Sequence, residues 1–147
     1  MNKEKIKETL FSINNQIIND LKERITSNKE QVALDHNDTI DPEDYSHQNE
    51  SSEMDELLLI QLEKALAEKS KLETIDFKQK NKIEVGAVVS TDQFAFVIGV
   101  ATTPFHVEEK QYVGISTDAP IYSMMKDKVE GESFHYGNNH YQIVSIN

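Results

Sequence analysis

The side chains best suited to chemistry in this sequence are carboxylates, and they are concentrated between Asp35 and Glu56. This stretch also contains His36 and His47 but no Lys or Arg. Carboxylate oxygens are hard ligands of the kind that Mg²⁺ prefers, whereas a run of acids is usually solvated or disordered. Its place between two helical patterns favours the tip of a helical hairpin, which would hold the acids away from a globular C-terminal body.

The first helical pattern is a stripe of apolar residues in steps of three and four, as in a coiled coil. Its apolar positions are Ile6, Leu10, Ile13, Ile17, Leu21 and Ile25. The stripe predicts a helix from about Lys3 to about Asn28, roughly 39 Å long at 1.5 Å per residue. Residues 32–34 either extend this helix or pack beneath the tip.

The second helix has a start signal at Asp41-Pro42-Glu43-Asp44. Asp favours the N-cap, Pro the first helical position, and acids the first turn. Apolar residues then recur at helical spacing, namely Met54, Leu57, Leu58, Leu62, Ala65, Leu66 and Leu72. We expect this helix to end between Leu72 and Lys80. The two helices would then have similar lengths and form an antiparallel hairpin.

The composition changes after residue 78, where all five glycines and most strand-forming residues are found. A short helix is predicted from Pro120 to Lys126, with Pro near its start and Lys at its end. Ile83, Val85, Val88 and Val89 open a strand region, and strands are predicted at 94–100, 112–116, 133–136 and 141–146, with a hairpin loop at 137–140.

These patterns predict an α+β chain with two parts. Residues 1–78 would form the helical hairpin, with the acidic tip at about 35–56. Residues 79–147 would form a small antiparallel β-sheet with one short helix.

The overall composition limits the possible partners. The formal net charge is -11 and there is a single Arg, so the clustered cations that bind a nucleic-acid backbone are missing and free DNA or RNA is not the expected partner. The absence of Cys excludes disulfides and thiolate zinc sites. No stretch resembles a signal peptide, and no apolar run approaches the roughly 20 residues of a membrane span. We therefore expect a soluble, cytoplasmic monomer.

The lysines form two groups, at the start of the first helix and the end of the second. They are Lys3, Lys5 and Lys7, and then Lys69, Lys71, Lys78, Lys80 and Lys82. A hairpin would bring both groups to its root, opposite the acidic tip. Such a field would orient the hairpin toward a positively charged or metal-containing cleft, although solubility alone explains the charges equally well.

Other ligand motifs are weaker. Asp35-x-Asn37-x-Thr39 begins like a calcium loop, but Ile40 stands where Gly is needed and Ser46 where Glu is needed. No Ser-His-Asp set, phosphate loop or nucleotide-binding fingerprint is present.

The histidines do not predict a metal site by themselves. His36 and His47 flank the tip and could bind a metal with its acids, but a plain exposed pair is the favoured interpretation. His106, His135 and His140 show no ligand spacing in the sequence.

Four segments of the last third occur in a distinctive order. They are Ser116-Thr117-Asp118-Ala119-Pro120, Met124-Met125-Lys126, Val129-Glu130-Gly131-Glu132, and Tyr141 to Ile146. This order resembles the C-terminal domain of the Gre transcript-cleavage factors, with its Ser-Ser-Pro-like turn, short helix ending in Lys, Val-Gly-Asp-like turn and closing hairpin. The resemblance implies an FKBP-like fold for the body and a helical hairpin with an acidic tip for the N-terminal half.

The tip carries a second resemblance. Asp41-Pro42-Glu43-Asp44-Tyr45-Ser46 is similar to the Asp-x-x-Asp-x-Ala tip of the DksA-type factors, with Ser46 in place of Ala. Those proteins usually carry a Cys zinc finger, and this chain has no Cys. The body is therefore Gre-like, and the tip lies between the two groups.

Both families insert their hairpin into the secondary channel of bacterial RNA polymerase, and the resemblance implies the same for this chain. In Gre factors the tip carboxylates help to hold a second Mg²⁺ at the polymerase active site, where two metals stabilise the attacking water and the leaving oxygen. Asp41 and Asp44 would ligate that shared Mg²⁺, with Glu43 in reserve. The chain would stimulate cleavage of backtracked RNA without being an enzyme or binding a cofactor stably. The turn formed by Asp118, Ala119, Pro120 and Ile121 would contact the channel rim.

Three alternatives remain open at this point. Asp41 is also a good N-cap, and Glu43 and Asp44 are where the helix dipole alone favours acids. The chain could regulate initiation without cleavage, as DksA-type factors do. It could also be a non-catalytic coiled-coil adaptor whose acids only solvate a loop.

Overall fold

The computed structural model describes the backbone of residues 2–35 and 42–147 and the side chains of residues 2–27 and 53–147. The elements are α1 (Lys3–Asp35), α2 (Pro42–Thr74), β1 (Val88–Thr91), β2 (Ala95–Ile98), β3 (Phe105–Val107), β4 (Lys110–Ile115), α3 (Pro120–Met125), β5 (Ser133–Tyr136) and β6 (Asn139–Ile146). The predicted α+β class is confirmed.

Helices α1 and α2 have 33 residues each. The predicted end of α1 near Asn28 was too early, because residues 29–34 include the strong helix formers Lys, Glu, Gln, Ala and Leu, which continue the helix beyond its last apolar stripe position. Helix α2 begins at Pro42 and ends at Thr74, as its start signal and the fading pattern predicted. Each helix is about 50 Å long at 1.5 Å per residue.

Residues Phe11–Ser70 form one compact unit, which we call the helix pair. Both helices contribute to its buried cluster, which consists of Ile18, Leu21, Ile25, Leu58 and Ala65, with Leu62 partly buried. The Asn14 Nδ2 donates a hydrogen bond to the Ala65 carbonyl oxygen at 3.2 Å. The predicted stripe position Ile17 was wrong, because Ile18 is buried in its place and Ile17 is exposed.

Residues Met1–Leu10 and Lys71–Asn147 form the other compact unit, which we call the body. Its sheet has six strands in the order β3-β4-β2-β1-β6-β5. The prediction of a wholly antiparallel sheet was wrong, because β2 pairs with β4 in parallel, with Ala95 opposite Tyr112 and Ile98 opposite Ile115. The sheet is therefore mixed.

Strand β3, which the sequence did not predict, explains this parallel pairing. After β2 the chain passes to the edge of the sheet, forms β3, and returns as β4 beside β2. The turn between β3 and β4 consists of Glu108 and Glu109, which have φ angles of 51° and 68°. Gly and Asn are the usual signals of such a turn, so the sequence gives no indication of it.

The hairpin between β5 and β6 is tighter than predicted. Strand β6 begins at Asn139, which pairs with Tyr136 across a two-residue turn. Gly137 has a φ of 61°, as the first central residue of a type II′ turn requires. This register shortens the predicted loop at 137–140 and places His140 in a strand.

The core of the body surrounds the central strands. All four residues of β1 and all four of β2 are buried, as expected for strands that are covered on both faces. On one side, the rings of Phe94, Phe96, Phe134 and Tyr141 contact one another with centroid distances of 4.9–6.3 Å. Ile6 and Leu10 of α1 and Leu72 of α2 are also fully buried in this unit.

Candidate functional site

The acidic tip falls largely outside the described residues. Asp41 lies outside them, and the side chains of Glu43 and Asp44 do too, as do His36 and His47. The backbone of α2 begins at Pro42, so Glu43 and Asp44 belong to its first turn. The predicted Mg²⁺ ligation by Asp41 and Asp44, with Glu43 in reserve, stays a prediction.

The predicted rim contact, from Asp118 to Ile121, is a tight turn that begins α3. The Ala119 N–H donates to the Ser116 carbonyl oxygen at 3.1 Å, and the Tyr122 N–H donates to the Ala119 carbonyl oxygen at 3.0 Å. Ala119 is extended, with φ −67° and ψ 137°, and Pro120 follows at the start of the helix. Proline suits this position because its fixed φ is helical and its missing N–H has no partner to lose.

The side chains of this turn divide into anchors and exposed groups. Ile121 and Met125 are buried in the core of the body, so these two residues hold α3 against the sheet. Asp118 and Pro120 are exposed, and Met124 one turn later is 49% exposed. Of the four residues predicted to contact the rim, Asp118 and Pro120 are thus exposed, Ala119 is partly buried against the core, and Ile121 is buried. The predicted contact itself stays a prediction.

Lys3 fastens the first turn of α1 to three separate segments of the body. Its Nζ donates hydrogen bonds to the carbonyl oxygens of Lys78, Gly86 and Asn147, at 2.8, 2.8 and 3.1 Å. An ammonium has three donors, so this group is fully used. Burial lowers the pKa of Lys3, and the positive charge of Lys80 lowers it further, against an opposing effect of Asp76.

Other lysines of the predicted basic root are paired with acids. Lys5 forms an ion pair with Glu108. Lys80 Nζ lies 3.3 Å from Asp76 Oδ2 and 3.9 Å from Glu84 Oε1. These pairs neutralise part of the basic character that the sequence predicted for the root.

A shallow cavity that the sequence did not indicate lies beside the β3–β4 turn, lined by Asn2, Val107, Glu108, Lys110 and Tyr112. The Lys110 Nζ donates to Ser90 Oγ at 2.8 Å and lies 5.7 Å from the centroid of the Tyr112 ring. Burial lowers the pKa of Lys110. Burial also raises the pKa of Tyr112, and the charge of Glu108 adds to that effect. The Lys110 ammonium is therefore sheltered and has a neutral hydroxyl as its partner.

Two histidines are brought together that the sequence did not connect. His135 of β5 and His140 of β6 are paired in the register of the hairpin. Their ring centroids are 4.4 Å apart and the rings are inclined by 63°. The predicted loop at 137–140 had removed His140 from the strand, and this hid the pair.

Among the side chains that the structure describes, no group of three or more His, Cys, Asp or Glu residues could hold a metal ion. Among the same residues, no helix is long and apolar enough to cross a membrane.

No protein-family model matches this sequence, and a search of curated proteins finds no significant match either.

Proposed function

We propose that this chain is a Gre-type transcription factor that inserts a helical hairpin into the secondary channel of bacterial RNA polymerase and stimulates cleavage of backtracked RNA. One observation carries the proposal. Two helices of 33 residues share a buried cluster, and the carboxylate-rich stretch of the sequence runs from the last residue of the first helix into the first turns of the second.

The contacts within the helix pair support an antiparallel hairpin. Asn14 hydrogen-bonds to Ala65, and residues 25 and 58, which are nearer to residues 36–41 along the chain, belong to the same cluster. A shared cluster whose members on the two helices lie closer along the chain as they approach residues 36–41 is what antiparallel helices would produce. A helix of about 50 Å suits a probe that reaches through a channel.

The chemistry proposed for the tip is completion of a metal site that belongs to the polymerase. Mg²⁺ commonly takes one or two protein carboxylates together with substrate phosphates. Asp44, in the first turn of α2, and Asp41 would supply these carboxylates, with Glu43 in reserve. A second Mg²⁺ stabilises both the attacking water and the leaving oxygen, so the polymerase would perform the cleavage and this chain would modulate it.

The body is proposed to be FKBP-like in fold and to contact the channel rim. Its α+β composition and short helix α3 are compatible with that fold, while the contact surface is assigned to Asp118, Pro120 and Met124. Because Ile121 is buried, it would not touch the polymerase and would only hold the exposed contact residues in position. Fold alone does not carry function, so the proposal depends on the hairpin and its acids.

The test is an RNA cleavage assay on a stalled, backtracked elongation complex with Mg²⁺ present. We expect the protein to shorten the RNA 3′ end, and Asp44→Asn to abolish the shortening while binding to polymerase persists. Asp41→Asn tests whether Asp41 acts as a metal ligand or only as an N-cap. Asn keeps a capping oxygen, so a loss of cleavage in this variant would point to the metal-ligand role. The matched control is Glu63→Gln, which removes an exposed acid of α2 outside the acidic tip.

The outcomes distinguish the alternatives. Binding to polymerase without cleavage would assign the chain to channel-occupying regulators of initiation, as in DksA-type factors. Failure to bind polymerase would reject both the cleavage factor and the initiation regulator, and would leave the coiled-coil adaptor as the remaining hypothesis. Unchanged cleavage by both Asp41→Asn and Asp44→Asn would reject the proposed metal ligands.

A further inference from the structure

We propose that His135 and His140 form a two-histidine site for a divalent late transition metal on the exposed face of the β5–β6 hairpin. The site is separate from the acidic tip and does not depend on the proposed function. It rests on the strand register, the distance between the rings and the ligand chemistry of imidazole.

The register places the two histidines directly opposite each other. Tyr136 and Asn139 close the two-residue turn, and in such a hairpin the closing pair exchanges backbone hydrogen bonds. The next pair, His135 and His140, is then a non-hydrogen-bonded pair, whose side chains approach more closely. The ring centroids lie 4.4 Å apart, which is close enough for one ion to meet a nitrogen from each ring after small side-chain rotations.

The buried face of the hairpin fixes the position of this pair. Phe134 and Tyr141 precede and follow the two histidines in their strands, and their rings stack in the core with centroids 5.2 Å apart. Because side chains alternate between the two faces of a strand, the histidines point to the solvent side, where both are exposed. The spacing of the two backbone positions is therefore set before any metal arrives.

The neighbouring turn holds the same hairpin in place. The Gln93 Nε2 donates a hydrogen bond to the His140 carbonyl oxygen at 2.8 Å. The Gln142 N–H donates to Asp92 Oδ1 at 3.0 Å. The backbone on either side of Tyr141 is thus connected to the β1–β2 turn. Ligands that are already positioned lose less freedom when they bind.

Imidazole selects which ions this site can take. Neutral imidazole is a suitable ligand for Zn²⁺, Ni²⁺ and Cu²⁺. Among these three ions, Cu²⁺ binds more tightly than Ni²⁺ or Zn²⁺. Mg²⁺ and Ca²⁺ require oxygen ligands and would not bind here. Within the described side chains no third His, Cys, Asp or Glu joins the pair, so water would complete the coordination. The site would be open and exchangeable.

The experiment is a titration of the ¹⁵N-labelled full chain with Cu²⁺ at mildly alkaline pH, because protons compete with metal ions for protein ligands, followed by NMR. Cu²⁺ is paramagnetic, so resonances near the ion broaden first and locate it. Because His36 and His47 flank the acidic tip, the titration uses a background in which both are replaced by Gln. We expect substoichiometric Cu²⁺ to broaden residues 133–142 first.

Three variants in that background complete the test. His140→Gln and His135→Gln should each weaken Cu²⁺ and Zn²⁺ binding by about 100-fold, the scale gained when two linked ligands act together. Both side chains are exposed, so the fold should persist. His106→Gln, which removes an exposed histidine from β3, should bind like the parent.

Several results would overturn the site. They are unchanged binding in both His135→Gln and His140→Gln, broadening centred away from residues 133–142, or equal heats from Mg²⁺ and Zn²⁺ in calorimetry. Cleavage activity plays no part in these readouts, so they are independent of the outcome at the acidic tip.

Discussion

Strands β1 and β2 of the body are buried at every position, whereas α2 in the helix pair leaves Leu57, Leu59 and Ile60 between 44% and 55% exposed. The core of the body contains a cluster of aromatic rings, while the cluster of the helix pair is aliphatic and lies along one stripe. The same chain thus has one region packed in layers and one region packed along a line.

This difference separates the sources of stability. A fully buried Val, Leu, Ile or Phe contributes about 1.5–3 kcal/mol, and close packing makes each core position sensitive to volume. Two helices joined along one stripe have fewer such positions, so they should open locally at a lower free energy than the body. The body is the expected scaffold, and the helix pair is the region expected to adapt to a partner.

The largest effect should come from the backbone of the body at Gly86. Its φ is 93°, and an added Cβ would lie 2.0 Å from the Asp76 carbonyl oxygen. We expect Gly86→Ala to cost about 4 kcal/mol, because a strained φ and overpacking each cost about 1–3 kcal/mol. Gly131→Ala is the matched control, with a φ of 90° and open space around the added carbon. If urea unfolding gave the same loss of unfolding free energy for both variants, the close approach to Asp76 would not be the cause.

The next effect compares one core position in each unit. Ile98 is completely buried in the body and Leu58 is 6% exposed in the helix pair. Ile98→Ala should cost about 3 kcal/mol and Leu58→Ala about 2 kcal/mol, within the 2–5 kcal/mol range for such truncations.

Hydrogen exchange can locate these two losses. Ile98→Ala should accelerate exchange throughout the body, whereas Leu58→Ala should accelerate it mainly in residues 11–70. Val144→Ala, at a position 62% exposed, should change stability by less than about 0.5 kcal/mol. A global effect of Leu58→Ala would mean that the two units unfold together.

Lys3 should have an intermediate effect, because it joins three segments of the body through hydrogen bonds from one charged group. We expect Lys3→Met to cost about 1–3 kcal/mol, the scale of losing charge-assisted hydrogen bonds and leaving carbonyl groups unpaired. Such a loss would lower the thermal midpoint by several degrees. Lys7→Met, one turn further along α1, is the control. Equal midpoints for the two variants would reject the fastening role of Lys3.

The smallest effect should be the pH dependence of the exposed Lys5–Glu108 pair. The hydrogen bond from Lys5 holds the pKa of Glu108 below its ordinary value. The pair therefore stabilises the fold fully above about pH 4.5, and its contribution disappears as the pH falls through the lowered pKa.

Urea unfolding between about pH 2 and 6 measures this dependence. Glu108→Gln should flatten the acid side of the stability profile, because a neutral amide does not titrate. Glu109→Gln, which changes the adjacent residue of the same turn, serves as the control. A Glu108→Gln profile that keeps the parent slope would assign the acid dependence to other carboxylates.

The sequence predicted the elements well where a local pattern decides them. The apolar run from Phe94 to Val100 contains the buried strand β2, and the Asp-Pro start signal gave the first residue of α2. The end of α1 was missed because helix propensity, and not the apolar stripe, decides it. The burial of Ile18 in place of Ile17 was missed because the position of the partner helix decides it. The roles of the tip acids stay predictions.

Pairings over longer distances were not predictable in the same way. Strand β3 has three residues and a Glu-Glu turn without a glycine, so nothing in the pattern indicated that β4 would return parallel to β2. The pairing of His135 with His140 depends on a two-residue turn, and a shift of one residue in register would have placed one ring on the other face.

The position of β6 has a consequence for how the protein is made. This strand lies between β1 and β5 in the sheet although it follows both along the chain. Val88 and Asn147 exchange backbone hydrogen bonds of 2.9 and 3.0 Å, and Asn147 also accepts a hydrogen bond from Lys3. A ribosome that has translated β1 to β5 therefore carries a nascent chain whose sheet still lacks an inner strand. The sheet is completed, and the first turn of α1 is fastened, only after β6 and Asn147 have left the ribosome.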